Sequence, residues 1–357
     1  MTGFLGDGTR CVHGGGAEPA PDSPFLASPV FGSAFHLGGS VTYGRSDNPT
    51  WRALESAIGA LDGGECVLFA SGMAAISALL RTCAGTVVLP SDGYHLTRGY
   101  VESELDLRVL AVPTAGPWPS FDGVSLVLLE TPANPGLDVC DITELAAQAH
   151  AAGALVAVDN TTATPLGQRP LELGADVVVA SDTKALAGHS DVLLGHVTCR
   201  DPELAARLRQ SRTYSGSIPG PFETWLAHRG LGTLDLRLAR QAQNAAALYN
   251  ALLGRPMITG LRWPGAPQDP AHALAARQMR RFNGVLTFEL PTVDAVDRFL
   301  ATSSLVTPAT SFGGLHSTAD RRAQWGDPVP PGLVRFSAGC EDTADLVRDV
   351  LAALPTE

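Results

Sequence analysis

The chain has 357 residues, 45% of them hydrophobic and 17% charged, with a formal net charge of -11 at pH 7. That is enough apolar material for a sizeable core and enough length for two domains around one centre. The acidic balance excludes a surface built for nucleic acid or for an anionic membrane, because phosphate binding needs clustered positive charge.

Residues 1–50 are rich in Gly, Pro and Ser and lack periodicity, so they read as an extended arm lying over another surface. They hold no basic segment followed by an apolar one, and no run in the chain reaches the ~18 apolar residues of a spanning helix. From residue 51 the pattern alternates: a helix at 51–61, a strand at 66–70 and a helix opening at Gly72. Strands follow at 86–89, 108–112, 125–130, 155–159 and 176–180, with helical stretches such as 143–152 between them. Short apolar strands alternating with helices predict an α/β fold with a mostly parallel sheet covered on both faces. Ligands of such sheets sit beyond the carboxyl ends of the strands. A long Arg- and Ala-rich helix at 233–253 then leads to a strand at 284–290, a helix at 293–302 and a closing helix from 343. The expected division is an arm (1–50), a large domain (51–235) and a small α+β domain (236–357). Six cysteines without a C-x-x-C pair give no zinc or disulfide pattern, so a cytoplasmic protein without a catalytic metal is expected.

Lys184 is the sole lysine of the chain, in Ser181-Asp182-Thr183-Lys184, directly after an apolar strand. Arginine cannot be deprotonated in a protein, whereas a desolvated lysine can lose its proton and form a Schiff base with an aldehyde. Several groups at the predicted strand ends each suit one part of pyridoxal 5'-phosphate (PLP). Ser71-Gly72-Met73 opens a helix whose N-terminal N–H groups can hold a phosphate, although a plain serine cap explains the same residues. Asp159 ends a strand and can keep a pyridine nitrogen protonated, or it simply caps a turn. Asn134 can donate to the ring's phenolic oxygen, Tyr94 can stack on the ring, and the hydroxyls of Ser181 and Thr183 can reach the phosphate.

Together with Tyr43-Gly44-Arg45, Glu130-Thr131-Pro132-Ala133-Asn134-Pro135, Ser311-Phe312-Gly313-Gly314 and Val334-Arg335-Phe336-Ser337, these motifs make the chain resemble the Cys/Met-metabolism family of PLP-dependent enzymes, the group of cystathionine γ-lyase, cystathionine γ-synthase and methionine γ-lyase. The resemblance implies a fold-type I PLP enzyme. Lys184 would carry the cofactor and move protons, Tyr94 would stack and act as acid or base, and Asp159 would pair with the pyridine nitrogen. Gly72, Met73, Ser181 and Thr183 would hold the phosphate, joined by Tyr43 and Arg45 of a neighbouring subunit. The resemblance therefore implies a homodimer at least, and a homotetramer as the family's usual form. Arg335 would clamp the substrate's α-carboxylate, with Ser311, Thr310, Asn134 and Tyr43 beside it.

The activity so implied is γ-elimination on a γ-substituted amino acid, with a γ-substituting transferase acting on an activated homoserine as the alternative. Three departures bear on the substrate. Thr310 stands where cystathionine-handling members commonly carry Glu, Gly99 stands where some members place Arg, with Arg98 beside it, and His95-Leu96 follow Tyr94 where the family usually has Gly followed by Gly or Cys, adding bulk at the mouth. The two lost polar contacts predict a small substrate with a neutral γ substituent rather than cystathionine. His95 itself reads as a solvent-exposed loop residue.

Overall fold

The computed structural model describes residues 5–16 and 20–355. Residues 1–4 and 17–19 of the expected arm, and 356–357 of the small domain, lie outside the described residues. Seven strands form the first sheet: β1 (Glu65–Phe69), β2 (Gly85–Pro90), β3 (Leu107–Val112), β4 (Val124–Glu130), β5 (Leu155–Asp159), β6 (Val177–Ala180) and β7 (Gly195–Cys199). Their spatial order is β1-β7-β6-β5-β4-β2-β3. β7 runs antiparallel to both its neighbours, and every other pairing is parallel. The six strands expected from the apolar runs are all present, and the sheet is mostly parallel, as expected. The reversed strand β7 is the addition. Its sequence, Gly-His-Val-Thr-Cys, alternates polar and apolar residues like a surface strand, yet all five are buried between β1 and β6.

The two faces of this sheet carry separate cores, one under helices Gly72–Leu80 and Pro202–Ser215, the other under helix Ile142–Ala151. Burial on both faces is why the strands read as continuous apolar runs. Helix starts follow side-chain capping: Asn48, Ser71 and Asp141 each accept a hydrogen bond from a first-turn N–H. Helix Leu234–Leu252 then leads to a five-stranded sheet of β8 (Thr259–Arg262), β9 (Val285–Glu289), β10 (Thr307–Pro308), β11 (Thr318–Arg321) and β12 (Leu333–Ser337), in the order β10-β11-β12-β9-β8. Helices Val293–Thr302 and Thr343–Ala353 pack on it around Phe288, Phe299 and Phe336.

The N-terminal segment departs from the expectation of an arm without packed structure. Asp7–His13 is helical and buries Cys11 against Trp51, Leu54 and Leu234, while His228 Nε2 sits 2.7 Å from the Gly14 carbonyl. Seven residues are too few to signal a helix in isolation, so tertiary packing holds it. The stretch that follows is arm-like, with Phe25, Phe31, Leu37 and Tyr43 exposed.

Candidate active site

At the carboxyl ends of β1, β4, β5 and β6 a cavity of about 410 Å³ opens toward the second sheet. Its wall includes Gly72, Met73, Tyr94, Asn134, Asp159, Ser181, Thr183, Lys184, Thr310 and Arg335. Ten of the expected site residues, scattered over more than 260 positions of sequence, thus share one cavity. Ser311 stands immediately behind it, accepting a 2.9 Å hydrogen bond from Lys184 Nζ. Tyr43 and Arg45 do not line it. They are exposed and held near each other, with the Arg45 guanidinium 5.4 Å from the Tyr43 ring centroid and Arg45 Nη1 donating to the Thr213 carbonyl.

Lys184 follows β6 on a turn stapled by Ala187 N–H to the Asp182 carbonyl and by Gly188 N–H to the Lys184 carbonyl. Burial lowers its ammonium to about 8, and the nearby Arg335 and Arg322 guanidinium groups push in the same direction. A lysine in that range supplies free amine near neutral pH. Asp159 ends β5 fully enclosed. Its carboxylate accepts from Thr161 N–H at 2.9 Å, and burial pushes it upward. Thr161 Oγ in turn accepts from Ser181 N–H at 2.8 Å, tying the end of β5 to the end of β6.

The phosphate end is a cradle of small residues. A Cβ on Gly72 would lie 2.7 Å from Ser181 Cβ, and one on Gly195 would lie 2.6 Å from Gly72 itself. Only glycines let the start of helix Gly72–Leu80 lie this close to β6 and β7. Its first N–H groups, with the positive helix end, face the cavity beside Ser181. Thr183 is already engaged: its hydroxyl donates to the Leu194 carbonyl at 3.2 Å and accepts from Leu194 N–H at 3.0 Å. An aldehyde-bearing, anionic, aromatic group fits this donor set: an amine, a buried carboxylate and a helix N-terminus in one cavity.

Four charged residues belong to the site although sequence reasoning gave them no role. Glu130, last residue of β4, accepts from Tyr94 N–H at 2.7 Å and Asn134 N–H at 2.8 Å, fixing two other site residues. Burial and then the neighbouring Asp159 push its carboxyl up to about 8. Arg322, Asp320 and Asp327 form a buried chain beside Arg335. Arg322 Nε donates to Asp327 at 2.6 Å, and Arg322 Nη1 donates to Asp320 at 2.9 Å. Arg335 lies 3.2 Å from Asp320, donates to Asn134 Oδ1 at 2.6 Å and also donates to the Thr310 carbonyl. Desolvation lowers the Arg335 guanidinium to about 10. His95 corrects the expectation of a solvent-exposed loop: it opens helix His95–Glu104, lines the cavity and lies 3.2 Å from buried Asp327. Nothing in the spacing of these residues pairs 95 with 327.

The family model of the Cys/Met metabolism PLP-dependent enzymes matches residues 33–355. The chain belongs to that family. PLP is accordingly its cofactor, and its reaction is one of amino-acid metabolism. A Streptomyces coelicolor protein named "Putative cystathionine gamma-lyase" is 53% identical to this family member over 98% of the chain and 93% of its own length. A Mycobacterium tuberculosis cystathionine gamma-synthase is 36% identical, over 99% and 97% respectively. Among solved structures, apo CalE6, a methionine gamma lyase from Micromonospora echinospora, superposes with a TM-score of 0.93 at 35% identity, covering 98% of this chain and 99% of that one. The fold is therefore that of the fold-type I PLP enzymes.

Proposed function

We propose that this family member is a PLP-dependent lyase catalysing γ-elimination on a compact amino acid with a neutral γ substituent. The observation that carries the reading is the outer wall of the cavity, where Leu96, Leu193 and Trp325 present apolar surface beside Thr310. Arg322, the second guanidinium there, is already neutralised by Asp320 and Asp327. A charged distal end on the substrate meets no unpaired group of opposite sign, and burying it unpaired costs several kcal/mol.

Bound PLP supplies an electron sink for negative charge developing beside the substrate's amino group. Arg335 holds the α-carboxylate, exchanging its contacts to Thr310 and Asp320 for a bidentate pair. That fixes the Cα hydrogen toward Lys184. Lys184 Nζ, with its lowered affinity for protons, would take the proton from Cα, hand it to the cofactor's C4' and, free again, take one from Cβ, steered by its hydrogen bond to Ser311. Tyr94, whose hydroxyl burial keeps protonated, donates to the departing γ group. Asp159 holds the proton of the pyridine nitrogen, while Gly72, Met73, Ser181 and Thr183 hold the phosphate.

Tyr43 and Arg45 are assigned to a neighbouring subunit's phosphate, because both are exposed and stand outside their own chain's cavity. That requires a homodimer, and two such dimers give the tetramer expected from the resemblance. The working units are the arm (1–50), the large domain (51–235) and the small domain (236–357). A cytoplasmic location is supported by six free cysteines; no helix of the described residues is long and apolar enough to cross a membrane.

The relatives' names leave a γ-substituting transferase as the second reading. A proton NMR time course in D₂O, with γ-substituted amino acids and with or without a thiol, separates the two. A 2-oxo acid released at a thiol-independent rate is the expected result. A new thioether formed only with the thiol, with little 2-oxo acid, would replace the lyase by the transferase.

A further inference from the structure

His95 and Asp327 come from opposite sides of the cavity. His95 is the first residue of helix His95–Glu104, directly after the proposed stacking residue Tyr94. Asp327 follows the short 3₁₀ turn Arg322–Trp325 beyond β11. His95 Nδ1 lies 3.2 Å from Asp327 Oδ1, with the Asp327 side chain 1% exposed and that of His95 28% exposed. Behind Asp327 the contacts continue. Asp327 Oδ2 accepts from Arg322, Arg322 donates to Asp320 and to Thr310 Oγ1, and Asp320 also accepts from Trp325 Nε1 at 3.2 Å. The turn 322–327 therefore carries the indole that forms the outer wall, and among the described residues its side-chain polar tie to the first sheet's side of the cavity is His95.

We propose that His95 is a specificity-determining residue: through Asp327 it latches the 322–327 turn across the cavity mouth, holding Trp325 where it limits the length of the substrate side chain. This rests on the reading of the site as one for γ-substituted amino acids. The geometry argues for an effect on length rather than on chemistry. Among the described residues the side-chain hydrogen bond of His95 goes to Asp327; its ring also stands 5.6 Å from that of Tyr94, tilted against it, while the Tyr94 backbone N–H is independently held by Glu130. Gly326, with φ of +89°, ends the 3₁₀ turn in a left-handed conformation next to Asp327. With the tie cut, Arg322 and Asp320 still hold the turn on its own side, but its side-chain tie across the mouth is lost, and the mouth can widen enough to admit a longer side chain.

The test uses the PLP-loaded enzyme, its His95→Ala variant and its His95→Asn variant, with L-methionine as the short probe and L-cystathionine as the long one. Two quantities are read: the ratio of kcat/KM for the long probe to that for the short one, and amide hydrogen exchange across 320–327. In His95→Ala the ratio is expected to shift about tenfold toward cystathionine, mostly through KM, the size of one partly buried charge-assisted hydrogen bond. Exchange at 322–327 is expected to quicken. Asparagine carries an amide donor at the place of Nδ1 and should restore both toward wild type. An unchanged ratio, or unchanged exchange at 322–327, overturns the latch. Failure of wild type and variants alike to release a 2-oxo acid from any γ-substituted amino acid would refute the elimination reading instead, and the exchange measurement would still decide the latch.

Discussion

His196 is a buried cation held between two buried carboxylates, and its replacement gives a stability effect that can be worked out from the structure. Its Nδ1 is 2.7 Å from Asp182 and its Nε2 is 3.0 Å from Asp62, with side-chain exposures of 1%, 0% and 0%. Burial opposes the charge, but the two carboxylates outweigh it and raise the imidazole from 6.5 to about 10. Exchange of His196 for Gln removes the charge and leaves both carboxylates enclosed, which costs ~3–5 kcal/mol for a broken buried pair. Two lost charge-assisted hydrogen bonds at ~1.5–3 kcal/mol each give a similar sum. With an unfolding entropy of about 2.1 cal/mol/K per residue, 357 residues convert each kcal/mol into ~1.3 °C. The expected fall in melting temperature at pH 7.5 is therefore ~4–7 °C, measured by calorimetry on the PLP-loaded protein. Because the folded-state value is raised, the stabilisation is fully present below pH 6.5 and is lost as pH rises through about 10. The gap between wild type and variant should accordingly narrow steadily as pH rises from about 6.5 to about 10. A variant within 1 °C of wild type at pH 7.5, or a gap that stays constant from pH 7 to 10.5, would refute the assignment of a buried imidazolium.

Borohydride reduction of the yellow protein followed by peptide mapping should place the pyridoxyl group on Lys184 alone; a label elsewhere would sink the proposed chemistry. Gly72→Val puts a side chain into the space filled by Ser181, with a Cβ approach of 2.7 Å, and should weaken PLP retention on dialysis more than tenfold, by analogy with a lost anchor shell, while far-ultraviolet circular dichroism stays unchanged. Arg335→Leu removes the proposed carboxylate clamp and should raise KM ~30-fold or more, the worth of a charge-assisted bidentate pair, with a smaller effect on kcat. Arg45→Ala and Lys184→Ala should each be inactive as homo-oligomers yet recover activity when co-expressed, because one site of the mixed dimer combines Lys184 of one chain with Arg45 of the other. Absence of that rescue counts against the shared phosphate site.

The amino-acid order made most of the cofactor end of the site legible. A solitary lysine after a buried strand, a carboxylate closing another strand and a Ser-Gly-Met helix start are local signals, because strand ends and helix starts are set by residues close in sequence. Glu130 lay in plain view at the end of β4 but carried no sign of its task, since its partners, the N–H groups of Tyr94 and Asn134, belong to separate loops. β7 escaped because His196 and Thr198 are polar. The burial of His196 makes sense only once Asp62 and Asp182 close around it.

Sequence alone therefore determined the alternation of helices and strands and the kind of cofactor, and it singled out the amine proposed to react, all of which depend on periodicity and residue chemistry within a few neighbours. Only the tertiary structure decided the reversed interior strand, the helical packing of residues 7–13 and the shape of the substrate mouth. These depend on which charges and apolar faces meet across long loops. The tie between His95 and Asp327 spans 232 positions, a separation at which no local pattern constrains the pairing and folding alone brings the groups together.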